Sequence, residues 1–212
     1  MPLYREWSSD AYSLAAIWKI DEPEDFFQSK IEIISDIKND KKRIEHLAGR
    51  FLLKYLKQDF PLLYIEPDEH DKPRLKNNEY YFSISHSYPY VAVVISPYEE
   101  CGIDIQSWHP RMKTLQDKFL SEKEKQLFGD DEQLLTMAWS IKEAAYKWQG
   151  RRGVEFSDHL IIEEILQNKH DYDVRISLNI NLPPMKIHAK AFMEKDFAFA
   201  LIIKDGHLSI NK

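Results

Sequence analysis

The chain has 212 residues, 43% of them hydrophobic and 30% charged, with a formal net charge of -6. This is enough chain for one large core or two small ones, and the acidic balance speaks against a general nucleic-acid binder, which needs a basic face. A single cysteine, Cys101, excludes an internal disulfide and a cysteine metal cluster, and six glycines make glycine-rich phosphate loops a minor device at most.

Met1 to Asp10 carries Arg5, Glu6 and Asp10 and no long apolar run, so neither a signal peptide nor a membrane span is expected; with the lone cysteine this suits a reducing cytoplasm. From Tyr12 to Ile20, alternate residues Leu14, Ala16, Trp18 and Ile20 share one face, which predicts a strand. Asp21 and Pro23 open a predicted helix running towards Ile37. Asp40 is placed to cap a second, whose apolar positions Ile44, Leu47, Ala48, Phe51, Leu52, Tyr55 and Leu56 fit helical spacing. Three prolines and many charges between Gln58 and Asn78 read as a long surface loop. Tyr80–Ser85 and Tyr90–Ser96 form a predicted hairpin around His86-Ser87-Tyr88-Pro89, and Cys101–Gln106 is a third strand. Ser121, with Glu124 three residues on, is a capping box opening a helix. Another helix covers about Gln133 to Gln149 and stops at Gly150. Leu160–Ile165, Val174–Ile180, Lys186–Met193 and Phe197–Lys204 complete a β-rich end. Each half gives helices and then antiparallel strands. The expected fold is α+β, with two pseudo-equivalent lobes, each an antiparallel sheet packed with helices: residues 1–100 and residues 101–212, together one compact pseudo-twofold unit.

Four groups of residues could carry chemistry. In Gly102-Ile103-Asp104-Ile105-Gln106, strand alternation points Asp104 and Gln106 one way and the isoleucines the other, which suits an oxygen site for a hard cation and equally a polar outer face. In Trp139-Ser140-Ile141-Lys142-Glu143-Ala144-Ala145-Tyr146-Lys147, the helical period gathers Trp139, Glu143 and Lys147, while Ala138, Ile141, Ala145 and Trp148 make the core face; an exposed Glu–Lys pair would look the same. His86, at the end of Phe82-Ser83-Ile84-Ser85-His86-Ser87, suits a phosphate or a capped turn. Lys72-Pro73 lies in the loop upstream. Arg43, Arg50 and Lys54 form a basic stripe that would either snorkel or grip a phosphate.

Taken together, Gly102-Ile103-Asp104 and then Trp139-Ser140-x-Lys142-Glu143-Ala144-x-x-Lys147 resemble the signature pair of the 4′-phosphopantetheinyl transferase superfamily. Ser85-His86-Ser87, Lys72-Pro73 and Leu47-Ala48-Gly49-Arg50 resemble it too, in the expected order, and the length suits its two-lobed, Sfp-like branch. The resemblance implies an enzyme that transfers 4′-phosphopantetheine from coenzyme A to a serine of an apo acyl or peptidyl carrier protein, releasing 3′,5′-ADP. It implies Mg²⁺ held by Asp104 and Glu143, Lys147 offsetting transition-state charge, and Glu124 as the base. His86, Lys72, Arg50, Arg43, Ser85 and Pro73 would contact coenzyme A. Many relatives have an acid where Gln106 stands, so Gln106 is expected to touch the metal weakly, through its amide oxygen or a water. The expected protein is a cytoplasmic monomer that binds neither nucleic acid nor membrane. Arg111, Lys113 and Lys118, with Met112 or Leu115, are the expected patch for an acidic carrier. The competing readings are a coenzyme A or carrier-binding module without catalysis, and a metal-dependent nuclease. The latter would want glutamate and lysine two apart on a strand.

Overall fold

The computed structural model describes residues 2–9, 12–169, 171–181, 183–203 and 208–211. The chain divides into two compact units, Met1–Glu99 with His207–Lys212, and Glu100–Gly206. Both mix helices with antiparallel sheet, so the protein is α+β. Among the described residues no helix is long and apolar enough to cross a membrane.

The first unit opens with β1 (Leu3–Ser9) and β2 (Leu14–Lys19). Helix α1 (Glu24–Ile31) ends well short of Ile37, because Glu32 takes a left-handed conformation that closes the last turn. In α2 (Asp40–Leu56) the cap is Asn39, one residue before the Asp40 expected from sequence; its side chain accepts from Lys42 N at 3.0 Å. The loop expected between Gln58 and Asn78 holds a 3₁₀ turn at Leu62–Tyr64 and a small ribbon of β3 (Ile65–Pro67) and β4 (Pro73–Leu75). Asp68 closes that ribbon, accepting from the amides of His70 and Lys72 and from Arg74 Nε. The hairpin is β5 (Tyr81–Ser87) and β6 (Tyr90–Ser96), with Ser87 opposite Tyr90 across Tyr88-Pro89. Ala16, Trp18, Val91, Val93 and Ile95 of the sheet pack against Leu47, Ala48, Phe51 and Leu52 of α2. The period of 2 in the strands meets the period of 3.6 in the helix there, as sequence reading expected.

The second unit runs from β7 (Gly102–Ser107) through α3 (Met112–Phe119), α4 (Glu122–Phe128), α5 (Glu132–Gln149) and α6 (Phe156–His159). Then come β8 (Leu160–Gln167), β9 (Tyr172–Leu178), β10 (Met185–Met193) and β11 (Phe197–Ile202); Lys204, the expected end of this last strand, lies outside the described residues. The sheet order is β7-β11-β10-β9-β8, all antiparallel, with α5 over the face made by Ala198, Ala200, Ala189, Ala191, Val174 and Ile176. The capping box at α4 is present, and Gly150 ends α5 in a left-handed conformation. Helix α3 was not anticipated. It buries Met112 in the core, which removes that side chain from any docking patch, while Arg111, Lys113 and Lys118 stay exposed.

The last strand, β12 (Leu208–Asn211), pairs with β1, so the first unit's sheet is β12-β1-β2-β6-β5. The sequence alone assigns these residues to the second lobe. Ladder hydrogen bonds to β1 are what move them, and nothing local in a four-residue strand announces a partner so far back. Both sheets contain one shared order, a first strand beside the second strand of a later hairpin: β2-β6-β5 and β7-β11-β10.

Candidate functional site

Strand β7 is the edge of its sheet, and α5 lies on it closely because residue 102 has no side chain. A Cβ at Gly102 would stand 2.1 Å from the Ala144 carbonyl oxygen and 2.9 Å from Trp148 N and Cβ. The glycine of the Gly-Ile-Asp element is thus a requirement of strand–helix contact. Gly102→Ala should force β7 away from α5 at a cost of about 1–3 kcal/mol, the usual range for overpacking. Urea unfolding would measure that loss, and unchanged stability would show that the contact can relax.

This contact sets the site. Asp104 is paired across the ladder with Ala200, and Gln106 with Ala198; both alanines belong to the core beneath α5, so Asp104 and Gln106 share the helix-facing side, as the strand period predicts. Asp104 is 5% exposed. Lys147, from the last turn of α5, donates to Asp104 Oδ1 at 2.8 Å and to the carbonyl of Ile103 at 3.1 Å. Glu143, one helical turn earlier, is half-buried. Burial, together with the charge of Asp104, raises its carboxyl from 4.5 to about 7, against the opposing pull of Lys147. The Gln106 amide donates to the Ser107 carbonyl at 3.2 Å.

Two carboxylates, the charge of Asp104 helping to raise the cost of ionising Glu143, with a lysine and an amide beside them, form an oxygen donor set for a hard cation. Among the described residues no cluster of three or more acidic, histidine or cysteine side chains forms. The pair fits Mg²⁺, which commonly takes one or two carboxylates and completes its octahedron with phosphate and water. The raised carboxyl also carries a stability cost. A folded-state value above the unfolded one means that the native state holds its proton more tightly, so stability is full below 4.5 and is lost as pH rises to about 7. Without divalent metal, Glu143→Gln should therefore be the more stable protein at pH 8, by roughly 3 kcal/mol, and the advantage should vanish near pH 4. Melting curves at the two pH values check this; an advantage of equal size at both would refute it.

Glu124, expected as a base, is 1% exposed and surrounded by donors. Oε2 accepts from Ser121 N at 2.8 Å, from Ser121 Oγ at 2.7 Å and from Lys142 Nζ at 2.9 Å, and Oε1 accepts from the amide of Ile162 at 2.8 Å. Lys142 is fully buried, lies 2.7 Å from Glu124 Oε1, and also donates to the Phe156 carbonyl at 3.1 Å. In this structure Glu124 joins α4, α5 and β8 from within and does not face solvent.

In the first unit, alternation along β5 puts His86 on the side of Phe82 and Ile84, which face α2, and Ser85, 5% exposed, on the other. Ser85 and His86 therefore do not share a face. Arg50, on α2, is half-buried, burial holds its guanidinium below the ordinary value, and it makes no ion pair among the described residues. Such a group suits an anion. Arg43, also expected to bind coenzyme A, is committed elsewhere: Nε donates to both oxygens of Glu24, one terminal nitrogen to Asp40 and the other to the Ile37 carbonyl. Those bonds to Glu24 and Asp40 hold it far above its ordinary value and fasten α1 to α2. Lys72 and Pro73 lie at the turn of the β3–β4 ribbon.

Two residues receive no role from the sequence: Glu45, and Lys142, which stands in the signature without one. Glu45 is 5% exposed and sits 3.3 Å from His86 Nδ1, and Lys142 pairs with Glu124. For Lys142 a signal existed: at 100° per residue it falls between Leu135 and Ala138 on the core arc of α5.

Residues 100–202 match the family model of the 4′-phosphopantetheinyl transferase superfamily, and the matched stretch includes Asp104, Glu143 and Lys147. No curated protein shows a sequence match to the chain.

Proposed function

We propose that this chain moves the 4′-phosphopantetheine group of coenzyme A onto a serine of an apo acyl or peptidyl carrier protein, in a Mg²⁺-dependent reaction of the Sfp-like kind. The observation that supports it most is the charge-coupled pair of Asp104 and Glu143, with the Lys147 ammonium 2.8 Å from Asp104, inside the matched residues. The serine oxygen attacks the phosphorus that carries pantetheine, the bond to 3′,5′-ADP breaks, and the serine loses its proton. Bound Mg²⁺ would supply Lewis-acid polarisation of that phosphate. Asp104 and Glu143 would hold the ion, and Gln106 would add a neutral oxygen. Lys147, already fixed on the β7 backbone, would balance negative charge as it grows on the phosphate. His86 and Arg50 would bind the coenzyme's nucleotide phosphates, with Lys72 as a further cation.

The test is direct. Apo carrier proteins from fatty acid, polyketide and peptide synthesis are incubated with the protein, coenzyme A and Mg²⁺, and their intact masses are measured. The expected result is a mass gain of one phosphopantetheine arm, abolished by chelation and restored by Mg²⁺. Normal coenzyme A binding without a mass gain on any carrier would favour a binding module instead.

A further inference from the structure

We infer that Glu45 is a positioning residue for His86. The inference rests on the reading that His86 contacts a phosphate of the coenzyme, and it concerns how that histidine is aimed.

Glu45 lies on α2, flanked in sequence by Ile44 and His46, and its side chain is 7% exposed. A carboxylate taken out of water is costly unless a cation or donors compensate it. Among the described residues the group that meets it is His86, whose Nδ1 lies 3.3 Å from Glu45 Oε2. Two features of the backbone bring the pair together. Gly49, one turn on from Glu45 in α2, lets Ile84 of β5 approach until a Cβ at 49 would be 3.0 Å from the Ile84 side chain. The period of 2 along β5 then puts His86 on that same α2-facing side, beyond Ile84 at the strand end.

The consequence is directional. With Nδ1 turned inward to the buried carboxylate, Nε2 is the ring nitrogen left for a ligand, and the His86 side chain is 51% exposed. The two nitrogens of an imidazole are distinct, and the partner of one sets the proton and the aim of the other. Arg50 stands one turn further along α2, and His46 lies between them in charge terms, lowered by burial and then by Arg50 and His86. Glu45 is the acid in this group of bases.

Two accounts of Glu45 give opposite signs. If it were only a buried negative charge near a phosphate site, Glu45→Gln would remove repulsion and tighten coenzyme A. If it aims His86, the same substitution should weaken coenzyme A by about tenfold, as loss of an orienting partner does at other histidine sites. Calorimetry of coenzyme A binding to the wild type, Glu45→Gln, His86→Gln and the double variant separates them. Nitrogen-15 NMR of His86 in the ligand-free protein follows the ring itself. The expected results are weaker binding in each single variant, no further loss in the double variant, and a changed His86 nitrogen pattern in Glu45→Gln. Tighter or unchanged binding in Glu45→Gln, losses that add in the double variant, or an unchanged nitrogen pattern would overturn the inference. Unchanged binding in His86→Gln alone would instead remove His86 from the phosphate site, and the NMR result would still decide whether Glu45 sets its ring. If Glu45→Gln melts early, Glu45→Asp, which keeps the charge on a shorter arm, should recover part of the affinity.

Discussion

Asp104→Asn should leave a folded protein whose transfer rate is lower by roughly two to three orders of magnitude, the range seen when one preorganised electrostatic group is removed from a reaction centre. Asparagine keeps the volume of the side chain beneath α5 and removes its charge. Three effects follow from the geometry. The site loses one of its two carboxylates. Lys147, 2.8 Å away, loses its ionic partner and keeps only the carbonyl of Ile103. Glu143 keeps the burial that raises its carboxyl most but loses the second cause, the charge of Asp104, so its value should fall from about 7 towards the ordinary range. Rate and titration are independent readouts of one change. Near-normal transfer by Asp104→Asn with Mg²⁺ would remove Asp104 from the reaction. A Glu143 titration that did not move would mean that the two carboxylates are not coupled.

Lys142→Ala should cost about 3–5 kcal/mol of folding stability, because it strands a buried carboxylate. Against a total of roughly 5–15 kcal/mol for a native domain, this threatens the fold. Lys142 is fully buried and Glu124 is 1% exposed. Burial lowers the Lys142 ammonium, and Glu124 opposes that shift. Removing the lysine leaves Glu124 with Ser121 and the amide of Ile162 but no cation. Replacing both partners tells attraction from desolvation: Lys142→Met with Glu124→Gln should lie much nearer the wild type than Lys142→Ala alone. Urea denaturation of the three proteins gives the comparison. A loss below about 1 kcal/mol for Lys142→Ala would mean that water reaches the pair.

What the sequence disclosed about this site follows from the range of each signal. The Ser121–Glu124 box spans three residues, and the alternation of Asp104 and Gln106 needs only the strand period, so both were readable locally. The stripe of Glu143 and Lys147 along α5 was readable for the same reason. The second bonds of those residues were not. Glu124 completes a local cap and also takes Lys142 and the amide of Ile162, and a capping-box reading accounts for the first alone. Arg43 looked like part of a basic stripe, since helical spacing records which face a side chain leaves from and not the Glu24 carboxylate it reaches. Glu45 and His86 are separated by a helix, a ribbon and a strand, and only the packing of β5 on α2 joins them. Of the strands the sequence does not predict, β3 and β4 are three residues each and β12 is four, too short for alternation to show, and β12 is defined by its pairing with β1.

That pairing has a consequence for the order in which the protein is made. Chains leave the ribosome from the amino end, and domains generally fold in that order. Here the strand that closes the outer edge of the first sheet is drawn from residues 208–211. While the second unit is being synthesised, β1 presents an uncovered row of amides and carbonyls, the kind of edge on which foreign strands add. The first unit's sheet is therefore completed only after the whole of the second unit has been made, by a strand that follows it in the chain.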